Sequence, residues 1–232
     1  MMPVVLLPGM LGDSALWTEL IEALVANGRQ DLKIHCLRID TERSVTDAAH
    51  AILAAAPDRF ALAGHSLGGI LALEVVRQAP TRVDRLALIS SSAAGPSVAQ
   101  RTAWAGLGTR VRSGQFEAVV SELTDSMLPA HRRGDRSLVL RSTQMAVSVG
   151  PEGILRQLDI QASRPEFFDT LPAIDVPTLV VSGALDLVAP VDRQLELAAG
   201  IRSSRHVILE HCGHLAPLEH PAALARELSA WL

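Results

Sequence analysis

The sequence predicts an α/β fold in three layers, with a mostly parallel sheet of about six strands, helices on both faces and a helical insertion. Short runs rich in Val, Ile and Leu alternate with helix-length segments, which is the pattern of βαβ units around a parallel sheet. These runs are apolar throughout rather than alternating, which is typical of strands covered on both faces. The alternation stops between Ser92 and Leu171, where about 80 residues carry helical patterns and no convincing strand.

Six strands and five helices are expected outside that stretch. The predicted strands are the apolar runs Val4–Leu7, Ile34–Ile39, Phe60–Ala63, Leu86–Ser90, Thr178–Ser182 and His206–Leu209. The predicted helices are Ser14–Asn27, Ser44–Ala56, Leu67–Ala79, Val191–Ala199 and Ala222–Trp231. The first helix carries apolar residues at helical spacing, and Gly28 follows it as a stop signal.

The stretch from Ser92 to Leu171 is interpreted as a helical lid over a site, although a helical excursion packed on the edge of the sheet is the alternative. One helical face is formed by Phe116, Val119, Val120, Leu123 and Met127. Further short helices are expected around Met145, Ile154, Leu155 and Leu158. The chain is then a single domain, with a core of residues 1–91 and 172–232 and a lid at about 92–171.

Composition and charge exclude several classes of protein. The 232 residues are 48% hydrophobic, carry a formal net charge of −4 and include no tyrosine, and Lys33 is the only lysine. A nucleic-acid or anionic-membrane partner is therefore not expected, because such partners call for clustered basic residues. Cys36 and Cys212 are interpreted as free thiols. Neither a secretory signal nor an apolar stretch long enough for a membrane span is recognised, so a cytoplasmic location is expected.

The segment Gly64-His65-Ser66-Leu67-Gly68 carries the clearest chemical signal. It is a G-x-S-x-G pattern between an apolar strand and an amphipathic helix, and the two glycines permit a sharp turn that exposes Ser66. The helix N-terminus next to Ser66 favours a developing negative charge. Taken alone, the segment also fits an ordinary Gly-rich turn with Ser66 as a helix N-cap.

A serine nucleophile needs a base and an acid that orients the base. His214 follows the last predicted strand and Asp186 follows the strand before it, so both should meet Ser66 at the carboxyl edge of the sheet. Two other carboxylates fit less well, because Asp192 begins a helix and Asp175 precedes its strand. His65 is expected to pack or hydrogen-bond locally. A zinc site at His211, Cys212 and His214 is judged improbable because no second pair of ligands is present.

The chain resembles the α/β-hydrolase superfamily, specifically small lidded carboxylesterase-like serine hydrolases. Four ordered segments carry the resemblance: Leu6-Leu7-Pro8-Gly9-Met10, Gly64-His65-Ser66-Leu67-Gly68-Gly69, the Asp186 segment with Pro177, and Gly213-His214 with Pro221. The resemblance implies that the backbone N–H groups of Met10 and Leu67 form an oxyanion hole. Pro8-Gly9 stands where many relatives read His-Gly, so the loop is of a variant type.

The function expected from these residues is hydrolysis of a small carboxylic ester, a lactone or a thioester by Ser66, His214 and Asp186 through an acyl-enzyme. Alternatives with the same residues are a cofactor-free haloperoxidase, a carbon–carbon bond hydrolase and a non-catalytic ligand-binding receptor. No metal or organic cofactor is expected, and oligomeric state is not predicted. The substrate pocket is expected to be mainly apolar, with Trp104, Met127 and Met145 as binding residues and further lining by Leu107, Phe116, Leu128 and Val147. Arg164 and the other arginines of the lid are expected to be solvated rather than to meet an acidic substrate.

Overall fold

The computed structural model describes residues 3–232 of the chain. Its sheet has six strands, all neighbouring pairs are parallel, and the order is β2-β1-β3-β4-β5-β6. The strands are β1 (Pro3–Leu7), β2 (Lys33–Cys36), β3 (Phe60–His65), β4 (Val83–Ile89), β5 (Thr178–Gly183) and β6 (Ser204–Leu209). The predicted fold class and the number of strands are confirmed.

Helices alternate with the strands and pack in separate groups. They are α1 (Thr18–Ala26), α2 (Val45–Ala55), α3 (Leu67–Gln78), α4 (Val98–Arg112), α5 (Phe116–Met127), α6 (Arg136–Ser163), α7 (Val191–Gly200), α8 (Ala216–Glu219) and α9 (Pro221–Trp231). Helix α1 packs against α9, and α2 packs against α3. Every residue of β3 and β5 is buried, so the centre of the sheet is covered on both faces.

The order of the strands places a site between β1 and β3. After β1 the chain forms β2, which pairs with one side of β1. It then returns to form β3, which pairs with the other side of β1. Ligands of open α/β sheets bind outside the carboxyl ends of the strands at such a reversal. Leu7 pairs with Gly64, and Gly64 pairs with Leu88, so β1, β3 and β4 end at the same edge.

Two expectations for the strands need correction. The strand predicted at Ile34–Ile39 is observed as Lys33–Cys36, and its last residue paired with β1 is Cys36, opposite Leu6. The outer strands are also not covered on both faces: β2 has no fully buried residue, and in β6 only Leu209 is buried. Both lie at the edges of the sheet, where a strand has one neighbour and less of the helical layers above it.

The stretch between β4 and β5 is helical, and no strand occurs in residues 92–171. Helices α4, α5 and α6 pack on one another, and α6 also contacts α2. The helices expected around Met145 and around Ile154, Leu155 and Leu158 are present as the two halves of the element at residues 136–163, which is interrupted at Gly150. That element bends at Gly150, which has a φ of 72°, and Pro151 begins the second half. Within residues 3–232, no helix combines the length and the apolar character needed to cross a membrane.

Candidate active site

Ser66 lies in the sharp turn between β3 and α3. Its backbone has φ 52° and ψ −115°, a left-handed conformation that is rare for a residue with a side chain. The turn is possible because two neighbours are glycines: a Cβ on Gly64 would collide with the backbone of Gly68, and a Cβ on Gly68 would collide with the carbonyl oxygen of Leu7. Ser66 is one of four non-glycine residues with a positive φ in residues 3–232, with Leu11, Ser90 and His211, and such strain is often found at functional sites.

The three predicted catalytic side chains meet in one hydrogen-bonded row. The Ser66 hydroxyl donates to His214 Nε2 at 2.9 Å, and His214 Nδ1–H donates to Asp186 Oδ2 at 2.8 Å. Asp186 Oδ1 accepts from the backbone N–H groups of Val188 and Ala189, at 2.8 and 2.9 Å. The acid is therefore fixed by its own loop, and the imidazole is held in the tautomer that leaves Nε2 free to accept a proton.

Charge at this row is set by burial and by hydrogen bonds. His214 and Asp186 are buried. Burial alone would raise the pKa of Asp186, but the interaction with His214 and the hydrogen bonds from His214, Ala189 and Val188 hold that pKa below its ordinary value. Asp186 is thus ionised at neutral pH and can stabilise an imidazolium on His214.

The two N–H groups expected to bind an oxyanion lie at the same edge. Leu67 is the first residue of α3, so its N–H has no acceptor within the helix. Met10 follows β1, and the next residue, Leu11, donates its N–H to the side chain of Gln157 at 3.0 Å. Met10 borders the same cleft as Ser66 and His214. The loop after β1 is therefore held in place by a side chain of α6.

His65 makes its hydrogen bond to the loop that carries His214, which is distant from it in the sequence. The Nε2–H of His65 donates to the carbonyl oxygen of His214 at 2.8 Å, and the two rings lie with their centroids 5.0 Å apart. His65 is packed in the interior, as expected, but its hydrogen bond is not local in sequence, because the turn at Ser66 brings β3 next to the loop after β6. Burial, with a smaller contribution from His214, lowers the pKa of His65 to about 3.

Glu219 is a functional candidate that the sequence reasoning missed. Its carboxylate accepts from the N–H of Gly213 at 2.8 Å and from the N–H of Leu215 at 2.9 Å, so it brackets His214 on both sides. Burial raises the pKa of Glu219, and these two hydrogen bonds oppose the increase. The available signal was one acidic residue in the apolar run that follows His214.

A cleft of about 870 Å³ opens above Ser66. Trp104 and Met127 line it, as expected, but Met145 does not: it borders a separate small cavity together with Met10 and Met127. The expectation for Val147 is wrong, because this residue is 59% exposed and does not line the cleft.

The remaining residues expected at the pocket pack inward or are polar. Leu107 and Phe116 pack against the core, and Leu128 is fully buried, so none of the three lines the cleft. The cleft is also less apolar than expected, since Gln161, Arg164, Glu166, Arg193 and the serines 90, 91, 92, 97 and 126 border it. In residues 3–232, no group of three His, Cys, Asp or Glu side chains is arranged to hold a metal ion.

Comparison with known proteins gives one family and several relatives. The family model described as alpha/beta hydrolase fold matches residues 39–221. The chain is 29% identical over 204 residues to a pimeloyl-[acyl-carrier protein] methyl ester esterase of Pectobacterium carotovorum, covering 81% of this chain and 76% of that protein. It is 26% identical over 242 residues to the enzyme of the same name from Aliivibrio salmonicida, covering 99% and 91%. An esterase structure from Thermogutta terrifontis has a TM-score of 0.88 at 23% identity, covering 100% of this chain and 89% of that one.

Proposed function

The chain belongs to the α/β hydrolase family, and from that premise we propose that it is a serine hydrolase that cleaves small carboxylic esters with Ser66, His214 and Asp186. The observation that carries the proposal is the continuous row of hydrogen bonds from Ser66 through His214 to Asp186. A pure binding protein has no need of a hydroxyl already paired with a base. The enzyme class expected from the sequence, a carboxylic ester hydrolase, is also the class of the curated relatives.

The reaction proceeds in two halves. Ser66 Oγ attacks the ester carbonyl while His214 Nε2 takes the hydroxyl proton, and the tetrahedral oxygen is bound by the N–H groups of Met10 and Leu67. The imidazolium, stabilised by Asp186, then gives its proton to the departing alcohol, which leaves an acyl ester on Ser66. Water attacks this acyl ester, His214 takes the proton of the water, and the free acid and the Ser66 hydroxyl are regenerated.

The helical segment at about 92–171 is proposed to act as a lid over the cleft within a single domain. In support, α4 supplies Trp104, α5 supplies Met127, and the residue after α6 supplies Arg164 to the cleft that contains Ser66. The N–H of His214 also donates to the carbonyl oxygen of Met127 at 3.1 Å. The end of α5 therefore supports the base as well as covering the cleft.

The proposal is tested by substituting the nucleophile. Ser66→Ala is expected to lower kcat for p-nitrophenyl butyrate on the order of 10⁵–10⁶-fold without loss of folding, because the attacking oxygen is removed. Ser203→Ala is the matched control, since Ser203 is exposed and precedes β6 at the opposite edge of the sheet. Retention of most activity in Ser66→Ala would refute the assignment.

A covalent probe separates an enzyme from a receptor. A fluorophosphonate is expected to label the wild-type protein at Ser66 and to leave Ser66→Ala unlabelled, as read by peptide mass spectrometry. Absence of labelling, together with ligand-dependent thermal stabilisation, would favour the ligand-binding alternative. The curated relatives are named for a methyl ester, so methyl esters are the first substrates to compare with lactones and thioesters.

A further inference from the structure

Arg164 lines the same cleft as Ser66, and its guanidinium group forms no ion pair with an acidic side chain in residues 3–232. It follows α6 directly, and its guanidinium carbon lies 5.3 Å from the centre of the Trp104 ring. One nitrogen, Nη1, donates to Gln161 Oε1 at 2.7 Å, whereas the buried Nε has no hydrogen-bond partner. The guanidinium group is therefore held by two neutral groups, the Trp104 ring against its face and the Gln161 amide at Nη1.

The charge of Arg164 is left uncompensated by the described part of the chain. Burial, with a smaller contribution from the neighbouring cation Arg193, lowers the pKa of Arg164 to about 10. Other half-buried arginines are compensated by an acid or by carbonyl oxygens: Arg132 pairs with Asp135 at 2.9 Å, and Arg82 donates to four backbone carbonyl groups. Glu166 borders the same cleft but is exposed, and it forms no ion pair with Arg164 in residues 3–232. A desolvated and unpaired cation is unfavourable unless an anion binds to it.

Arg193 brings a second guanidinium group to the cleft of Ser66. It lies in the first turn of α7, which begins directly after the loop of Asp186. The next residue, Gln194, accepts from the N–H of Ser91 at 3.2 Å and donates to the carbonyl oxygens of Ser91 and Ala189. Arg193 pairs with Glu196 at 3.0 Å on its exposed side. The two guanidinium groups thus face one cleft from α6 and from α7.

We propose that Arg164, stacked on Trp104 and assisted by Arg193, binds a carboxylate of the substrate, so that the preferred substrates are monoesters of dicarboxylic acids. A guanidinium fixed on an aromatic face offers a planar edge that matches a carboxylate. The cleft, of about 870 Å³, is lined by both Ser66 and Arg164 and is large enough for a small dicarboxylic monoester. The expectation that Arg164 is solvated is therefore corrected, whereas Arg101 and Arg112 of α4 are exposed as expected. The proposal rests on the esterase function proposed above.

The test compares two esters that differ in one charge. The wild type is expected to hydrolyse monomethyl adipate with a kcat/KM at least about 10-fold above that for dimethyl adipate, as a charge-assisted hydrogen bond would give. In Arg164→Gln this ratio is expected to fall to about 1, because the amide carries no charge to offset that of the carboxylate. Arg101→Gln is the matched control, since Arg101 lies on α4 outside the cleft, and its ratio should equal that of the wild type.

The outcomes separate this inference from the proposed function. A wild-type ratio near 1 with good activity on both esters, or an unchanged ratio in Arg164→Gln, would overturn the carboxylate subsite and leave the esterase intact. Activity on neither ester would instead count against the esterase. Binding gives an independent readout: calorimetry of adipate with Ser66→Ala is expected to give at least about 10-fold tighter binding than with Ser66→Ala/Arg164→Gln. Equal affinities would also overturn the inference.

Discussion

His65 is expected to make the folded protein sensitive to acid, and His65→Gln should remove that sensitivity. A carbonyl oxygen only accepts, so the contact with His214 places the single proton of neutral His65 on Nε2. A second proton would go to Nδ1, which is buried and has no hydrogen-bond partner. It would also add a positive charge beside His214. Glutamine retains an N–H donor for the same carbonyl group but does not titrate.

The size of the effect follows from the pKa of His65, which falls from its ordinary value of 6.5 to about 3 on folding. The unfolded chain therefore binds more protons than the folded protein between those two pH values, and the free energy of unfolding decreases as the pH falls through that range. The contribution of His65 is fully present above pH 6.5. Below pH 6.5 this contribution decreases by about 1.4 kcal/mol per pH unit, so that about 2–3 kcal/mol is lost by pH 4.5.

The measurement is urea unfolding of the wild type and His65→Gln at pH 7.5, 6.5, 5.5 and 4.5, followed by circular dichroism. Any packing cost of the substitution is independent of pH, so only the change in the difference between the two proteins is informative. The variant should gain about 2–3 kcal/mol relative to the wild type between pH 7.5 and 4.5. His50→Gln is the control, because His50 is exposed. Parallel pH curves for the wild type and His65→Gln would refute the reasoning.

Two further predictions concern the loop of the base and the turn of the nucleophile. Glu219→Gln is expected to lower the free energy of unfolding by about 1.5–3 kcal/mol and to reduce kcat more than it changes KM, because the amide can accept from only one of the two N–H groups that flank His214; a normal kcat would contradict this role. Gly68→Ala is expected to destabilise the protein by at least about 3 kcal/mol in thermal or urea unfolding, since its Cβ would collide with the carbonyl oxygen of Leu7. Gly106→Ala in α4 is the matched control, where a Cβ meets no atom within 4 Å and stability should rise by up to about 1 kcal/mol.

The parts of the fold that were predictable are those whose signal is local. The strands β3 and β5 are buried along their whole length, so their apolar runs mark them directly. The end of β2 was not predicted, because the apolar run continues to Ile39 whereas the pairing with β1 stops at Cys36. The helices on either side of Gly150 carry their own apolar patterns, whereas the kink that joins them in the element at residues 136–163 depends on the backbone conformation of Gly150.

The residues of the candidate site also fall into two groups, those with a local sequence signal and those without one. The residues Ser66, His214 and Asp186 were predictable because each follows a strand in a recognisable segment, and parallel strands end at one edge. The roles of His65 and Glu219 depend on which backbone groups come near them after folding, and no local pattern carries that information. The residues of the helical insertion that line the cleft could not be predicted either. A helical pattern separates a buried face from an exposed face, but it does not show what packs against the buried face.

His214, the proposed base, is held by its backbone as well as by its side chain. The N–H of His214 donates to the carbonyl group of Met127 in α5, and its carbonyl oxygen accepts from His65 in the turn of the nucleophile. The N–H groups on either side of His214 donate to Glu219. The loop is thus tied to the insertion, to the nucleophile turn and to the final helices, so that a shift in any of them moves Nε2 relative to Ser66. Because a misplacement of about 1 Å costs on the order of 10²-fold in rate, substitutions at the end of α5 should change kcat even where they touch no substrate.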